Sequence, residues 1–104
     1  MAKWHFHDLH SFKDYVVFVQ MYSPNEYPIR DGHGPEDQWT LDLSFEGLRY
    51  GLALTAKEKG ELPVLAKCRE IVEHAYKFYR EGQAREGFFK LEQLEKLLGM
   101  IPSQ

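Results

Sequence analysis

The stretch QWTLDLSFEGLRYGLALTAKEKG, residues 38–60, can be read with two periods, and the choice between them decides the fold. Its first nine residues alternate apolar and polar at Trp39, Leu41, Leu43 and Phe45, the pattern of a half-buried strand. Carried to residue 60, the same residues fit a helix. Leu41, Phe45, Leu48 and Leu52 then share one face, and Trp39, Leu43, Tyr50 and Leu54 share another. The second half has no turn residues beyond its glycines. The spacing therefore predicts one long helix over about 36–58, opened by Gly34-Pro35-Glu36-Asp37 with proline and acids in its first turn. A helix apolar on two faces belongs at the centre, with neighbours on both sides. Gly47 and Gly51 fall one turn apart, where a neighbouring helix can approach closely, each at an intrinsic cost of about 1 kcal/mol relative to alanine.

Outward toward the C-terminus, Pro63 stands at a helix start, where a missing amide donor costs little. Leu65, Cys68, Val72, Ala75, Tyr76 and Tyr79 recur at three and four residues, an apolar stripe on a helix reaching about Arg80. Glu81-Gly82-Gln83 stops it, and a second stripe follows at Phe88, Leu91, Leu94 and Leu98, with Leu97 alongside, ending at Gly99 before Pro102. Two amphipathic helices joined so briefly fold back antiparallel. Toward the N-terminus, Ser11 is positioned to cap a helix over about 12–22 carrying Phe12, Tyr15, Val16, Val19 and Tyr22 on one side, closed by Ser23-Pro24. Residues 23–35, with Pro24, Pro28, Gly32, Gly34 and Pro35, form a long loop of the kind that more often carries function than a short one does. The expected fold is one all-α domain over 1–104, a four-helix antiparallel bundle with a C-terminal helical hairpin. The alternative is α+β, with strands near 14–22 and 38–46 against that hairpin.

The 104 residues suffice for one core, and the aromatic content of 14% opposes disorder because aromatic burial offsets chain entropy. Cys68 alone cannot form an internal disulfide, and the apolar run 15–19 is too short for a signal core or a membrane span. A cytoplasmic location is the expectation. Net charge is −3, concentrated between residues 26 and 46, where Glu26, Asp31, Glu36, Asp37, Asp42 and Glu46 face Arg30 alone. Such a segment repels a phosphate backbone, so nucleic acid is not the expected partner, whereas a basic protein is.

The catalytic and metal patterns fail one by one. His5, His7 and His10 lie within six positions, but a strand gathers only the first two and a helix only the last two, so a metal site would need a bend or a further ligand from His33 or His74. Glu70 and His74 lie one helical turn apart without the second histidine of a metalloprotease pair. Cys68 sits in an apolar stripe, the setting of an inert thiol. Ser11, Ser23, Ser44 and Ser103 lack a nucleophile-elbow context, and Gly32-His33-Gly34-Pro35 puts a proline where a phosphate loop needs amide donors.

The remaining reading is a small non-catalytic domain without a cofactor that acts by covering another protein's surface, in its most specific form an acidic immunity or antitoxin-type inhibitor of a basic nuclease toxin. Its expected contact residues are Tyr22, Glu26, Tyr27, Ile29, Asp31, Glu36, Asp37, Asp42 and Glu46. The alternative is a metal-binding protein or metal-dependent enzyme built on the N-terminal histidines. Leu91, Leu94, Leu97, Leu98 and Met100 carry more apolar surface than one hairpin partner covers, so self-association through the C-terminal helix is a further expectation.

Overall fold

Thr40 settles the ambiguity of the decisive stretch. Its hydroxyl accepts the amide of Leu43 at 3.0 Å, capping a helix, α2, over Leu41–Lys59. Lys57 and Lys59 in the last turn complement its dipole, and Gly60 ends it with a φ of 86° that other residues resist. The computed structural model describes Trp4 and residues 6–103. These are all-helical and contain no strand: α1 over Leu9–Tyr22, a short 3-10 turn over Pro35–Asp37, α2, α3 over Pro63–Arg80 and α4 over Ala84–Gly99. Neither alternative strand, near 14–22 or near 38–46, forms.

The expected start of α2 at residue 36 is corrected to 41. Pro35–Asp37 makes only a 3-10 turn, because Gln38 leaves the helical region and spends its side-chain amide on the loop behind it. Helix α1 begins three residues before the expected 12. Asp8 is its cap, accepting the Ser11 amide at 2.8 Å, while the Ser11 hydroxyl takes the Asp8 amide at 3.2 Å. Glu58, from the end of α2, accepts the Leu9 amide at 3.0 Å and so satisfies another orphan donor of the α1 N-terminus. The hairpin boundaries agree with the sequence reading. Between its helices, Gly82 at φ 78° allows the Gln83 amide to reach the Phe78 carbonyl at 2.8 Å.

Each helix packs on two neighbours: α1 on α2 and α4, α2 on α1 and α3, α3 on α2 and α4. The shortest dimension, 15 Å between Cα extremes, accommodates two helix layers. One core joins all four. Leu9, Phe12, Val16 and Val19 from α1 meet Phe45, Leu48 and Leu52 from α2, Leu65, Cys68, Ile71, Val72, Ala75 and Tyr79 from α3, and Leu91, Leu94 and Leu98 from α4. Two positions depart from the expected stripes. Ile71 is buried where Tyr76 was expected, and Phe88 turns outward with 42% of its surface exposed. Gly47 and Gly51 do admit α1 closely: a methyl group at either would overlap Tyr15 or Phe12. Gly87 serves the hairpin in the same way, since a Cβ there would lie 2.6 Å from the Tyr79 ring.

Helix α1 runs antiparallel to α4. The Lys13 ammonium donates to the Ile101 carbonyl at 2.8 Å and to the Ser103 hydroxyl at 2.7 Å, and at the other end the Gln20 amide donates to the Phe88 carbonyl at 3.3 Å. No helix among the described residues is long and apolar enough to cross a membrane.

Candidate functional site

The segment between α1 and α2 carries most of the expected contact residues, and side chains rather than regular structure fix its shape. Gln38 acts as a clasp: its carbonyl oxygen accepts the Arg30 amide at 2.7 Å, and its amide group donates to the carbonyls of Arg30 at 3.1 Å and His33 at 3.0 Å. One glutamine thus satisfies backbone groups on both sides of the bend, which an irregular segment otherwise leaves to water. The Arg30 guanidinium donates to the Asp37 carbonyl at 2.9 Å and lies over the Trp39 ring, 4.9 Å from its centroid. At the base, hydroxyls chain Ser23, Tyr27 and Ser44 at 2.6 and 2.8 Å, and the Ser44 hydroxyl donates on to the Leu41 carbonyl at 2.9 Å. Burial raises the Tyr27 phenol above its ordinary range, so Tyr27 stays neutral and hydrogen-bonded. The Ser23–Pro24 peptide bond is cis.

These contacts divide the expected residues. Ile29 is held outward with 81% of its surface exposed, and Glu26, Asp31, Glu36 and Asp37 are exposed on the same segment. Beside Ile29, a cleft of about 410 Å³ is lined by Tyr27, Pro28, Ile29, His33, Pro35, Gln38 and Trp39. Tyr22 and Tyr27 are half-buried: Tyr22 packs on Phe18 with ring centroids 5.2 Å apart, and Tyr27 supports the loop from below. Asp42 accepts a hydrogen bond from the Tyr76 hydroxyl at 2.5 Å and so ties α2 to α3, and Glu46 is exposed on α2. Trp39 and Gln38 did not figure among the expected site residues. Their signal was the cap at Thr40, which takes both out of the helix and into the loop wall.

The other candidate centres come apart. His5 lies outside the described residues. His7 and His10 are exposed, and the His7 imidazole lies 3.6 Å from the Asp8 carboxylate. Asp8 is held below its ordinary range by the hydrogen bonds from Ser11, then by His7 and His10. His33 is on the loop and His74 on α3, and no group of three His, Cys, Asp or Glu among the described residues could hold a metal ion. Cys68 is fully buried, and desolvation pushes its thiol up to about 11, the opposite of an activated nucleophile. Ser44 is buried within the hydroxyl chain. Leu91, Leu94 and Leu98, three of the residues behind the self-association expectation, are covered by the chain's own core, while Met100 is 75% exposed.

Compared with known proteins, the chain matches no family model, no curated protein and no solved structure.

Proposed function

We propose that this chain is a non-catalytic binding domain that presents the 26–38 loop to a basic protein partner. The observation that carries the reading is Ile29, an apolar side chain 81% exposed on a loop whose backbone is already fastened by Gln38, Arg30 and Tyr27. A pre-ordered loop loses little entropy on docking, so an anchor on it contributes more affinity than the same side chain on a mobile segment. The cleft beside Ile29 offers a partner side chain an apolar seat. Glu26, Asp31, Glu36 and Asp37 form a carboxylate rim that attracts positive charge and accelerates encounter. In its most specific form the domain is an inhibitor that lays this rim on the cationic groove of a nuclease toxin. Charge and size support that form.

The test is affinity purification with the intact chain at low salt, run in parallel with Ile29→Ala and with Asp31→Ser/Glu36→Ser/Asp37→Ser. The reading requires a basic protein retained by the wild type, lost with Ile29→Ala, and released by added salt more readily from the triple variant. A partner retained equally by all three chains, or no specific partner at all, overturns it.

A further inference from the structure

Another cleft lies across Trp39 from the loop, and its chemistry differs. Ser11 lies three and four residues before Asp14 and Tyr15 on α1, and Phe18 four and three residues after them; with Phe6 and Trp39 these side chains line a cleft of about 360 Å³. The rings form a continuous wall: Phe6 to Tyr15 at 4.7 Å, Tyr15 to Trp39 at 6.0 Å, Phe18 to Trp39 at 5.1 Å between centroids. We propose that this cleft binds a small quaternary-ammonium cation of choline's size, held among the rings of Tyr15, Phe18 and Trp39 with Asp14 as its counter-charge. The proposal stands apart from the partner-protein reading.

The polar atoms of the lining select this class of ligand. The Ser11 hydroxyl is committed to the α1 cap, taking the amides of His7 and Asp8 at 3.1 and 3.2 Å and donating to the Asp8 carboxylate at 2.7 Å. The Tyr15 hydroxyl donates to the Ser44 carbonyl at 2.8 Å, and burial raises its pKa above the ordinary phenol range, so it brings no negative charge. Apart from the Trp39 indole, which can only donate, the remaining polar side chain of the lining is Asp14, which is exposed. A primary ammonium carries three donors and would find a single carboxylate to receive them here. A quaternary ammonium has no donors to satisfy, and its positive methyl shell is attracted to aromatic faces. The Arg30 guanidinium already lies over the Trp39 ring and opposes a second cation there, so the Asp14 carboxylate is the group that must offset it. A zwitterionic relative such as phosphocholine or betaine would bring negative charge of its own toward Asp14. A neutral apolar solute would gain nothing from that carboxylate.

The experiment is an NMR titration of the intact chain with choline chloride at constant ionic strength. It is repeated with phosphocholine and with the neutral carbon isostere in which tert-butyl replaces trimethylammonium. Choline is expected to give saturable shifts at the Trp39 indole and at the amides of Asp14, Tyr15 and Phe18, with a Kd of about 1–10 mM, the range of a partly exposed cation–aromatic site. The isostere is expected to bind about fivefold or more weakly, and phosphocholine more weakly than choline. Asp14→Asn, an exposed change that leaves the core intact, is expected to weaken choline about five- to tenfold. Equal binding of the isostere, choline binding unchanged in Asp14→Asn, shifts centred elsewhere, or no saturation by roughly 100 mM would each overturn the assignment.

Discussion

The ring of Phe12 lies directly against the backbone of Gly51, in the space a side chain at that position would occupy. The contact seats α1 on α2, and the ring is fully buried there. Alanine at 51 is favoured by helix propensity by about 1 kcal/mol, yet its methyl group would have to displace a core aromatic, an overpacking cost of about 1–3 kcal/mol or more. Gly51→Ala is therefore expected to lower the denaturation midpoint. Gly99→Ala, at a helical position with nothing within 4 Å, is expected to leave it within about 0.5 kcal/mol or raise it. Urea unfolding of the two variants side by side checks the sign. A stabilised Gly51→Ala would mean that α1 and α2 are not this close.

Gln38 holds the 26–38 loop by at least three hydrogen bonds to backbone. Gln38→Ala leaves the Arg30 amide without that acceptor and should cost about 1–2 kcal/mol. Because the loop is at the surface, the larger effect is local: amide exchange of Arg30 should accelerate far more than exchange in α3, whose Leu65, Cys68, Ile71, Val72, Ala75 and Tyr79 are buried. Hydrogen exchange followed residue by residue distinguishes a loosened loop from a weakened fold. Uniform acceleration across α3 would assign Gln38 to global stability instead.

The sequence legibility of this molecule follows the period of its apolar residues. The α3–α4 hairpin could be read because its stripes are uninterrupted and its stop, Gly82, is a residue type with one conformational use. Gly47 and Gly51 could be read as a close approach because two glycines one turn apart have little other purpose inside a helix. The start of α2 could not. Pro35, Glu36 and Asp37 carry the composition of a helical first turn, and only the three-dimensional demand of the loop on Gln38 moves the cap to Thr40. That displacement also hid the aromatic wall. The spacing puts Trp39 on one face of a helix with Leu43, Tyr50 and Leu54, whereas outside the helix it packs on Tyr15, Phe18 and Tyr27, all distant in sequence.

Burial raises the pKa values of Cys68, Tyr15, Tyr27 and Tyr79. For each, the neutral form is favoured in the folded state, so the unfolded chain releases its proton first as pH rises. The Cys68 contribution is complete below its unfolded value near 9 and is lost as pH climbs through about 11, whereas those of the tyrosines begin to fall only above their unfolded value near 10 and persist to higher pH. Denaturation midpoints should accordingly fall through this alkaline window, and less steeply in Cys68→Ala once its lower baseline is subtracted. At neutral pH a thiol reagent should modify Cys68 only at the rate of unfolding. Rapid stoichiometric labelling of the native chain would contradict the burial of its sulfur.

Glu95 behaves in the opposite pH range. It lines a small groove between α1 and α4 with Lys13, Val17 and Leu98, and among the described residues its Oε2 is buried with no hydrogen-bond partner. The Lys13 ammonium in the same groove is committed to Ile101 and Ser103. Desolvation, and then the neighbouring Glu92, raise the Glu95 carboxyl above its ordinary value, so the folded chain favours the protonated form. The favourable term is present below the unfolded value near 4.5 and disappears as pH rises through the folded one, leaving the charged group a burden at neutral pH. Glu95→Gln, which keeps the shape and removes the charge, should raise the denaturation midpoint at neutral pH by a modest amount, because the side chain is only partly buried. The difference from the wild type should shrink as the pH is lowered through the carboxylate range. A Glu95→Gln midpoint below that of the wild type at neutral pH would show that the ionised carboxylate has a stabilising partner in solution.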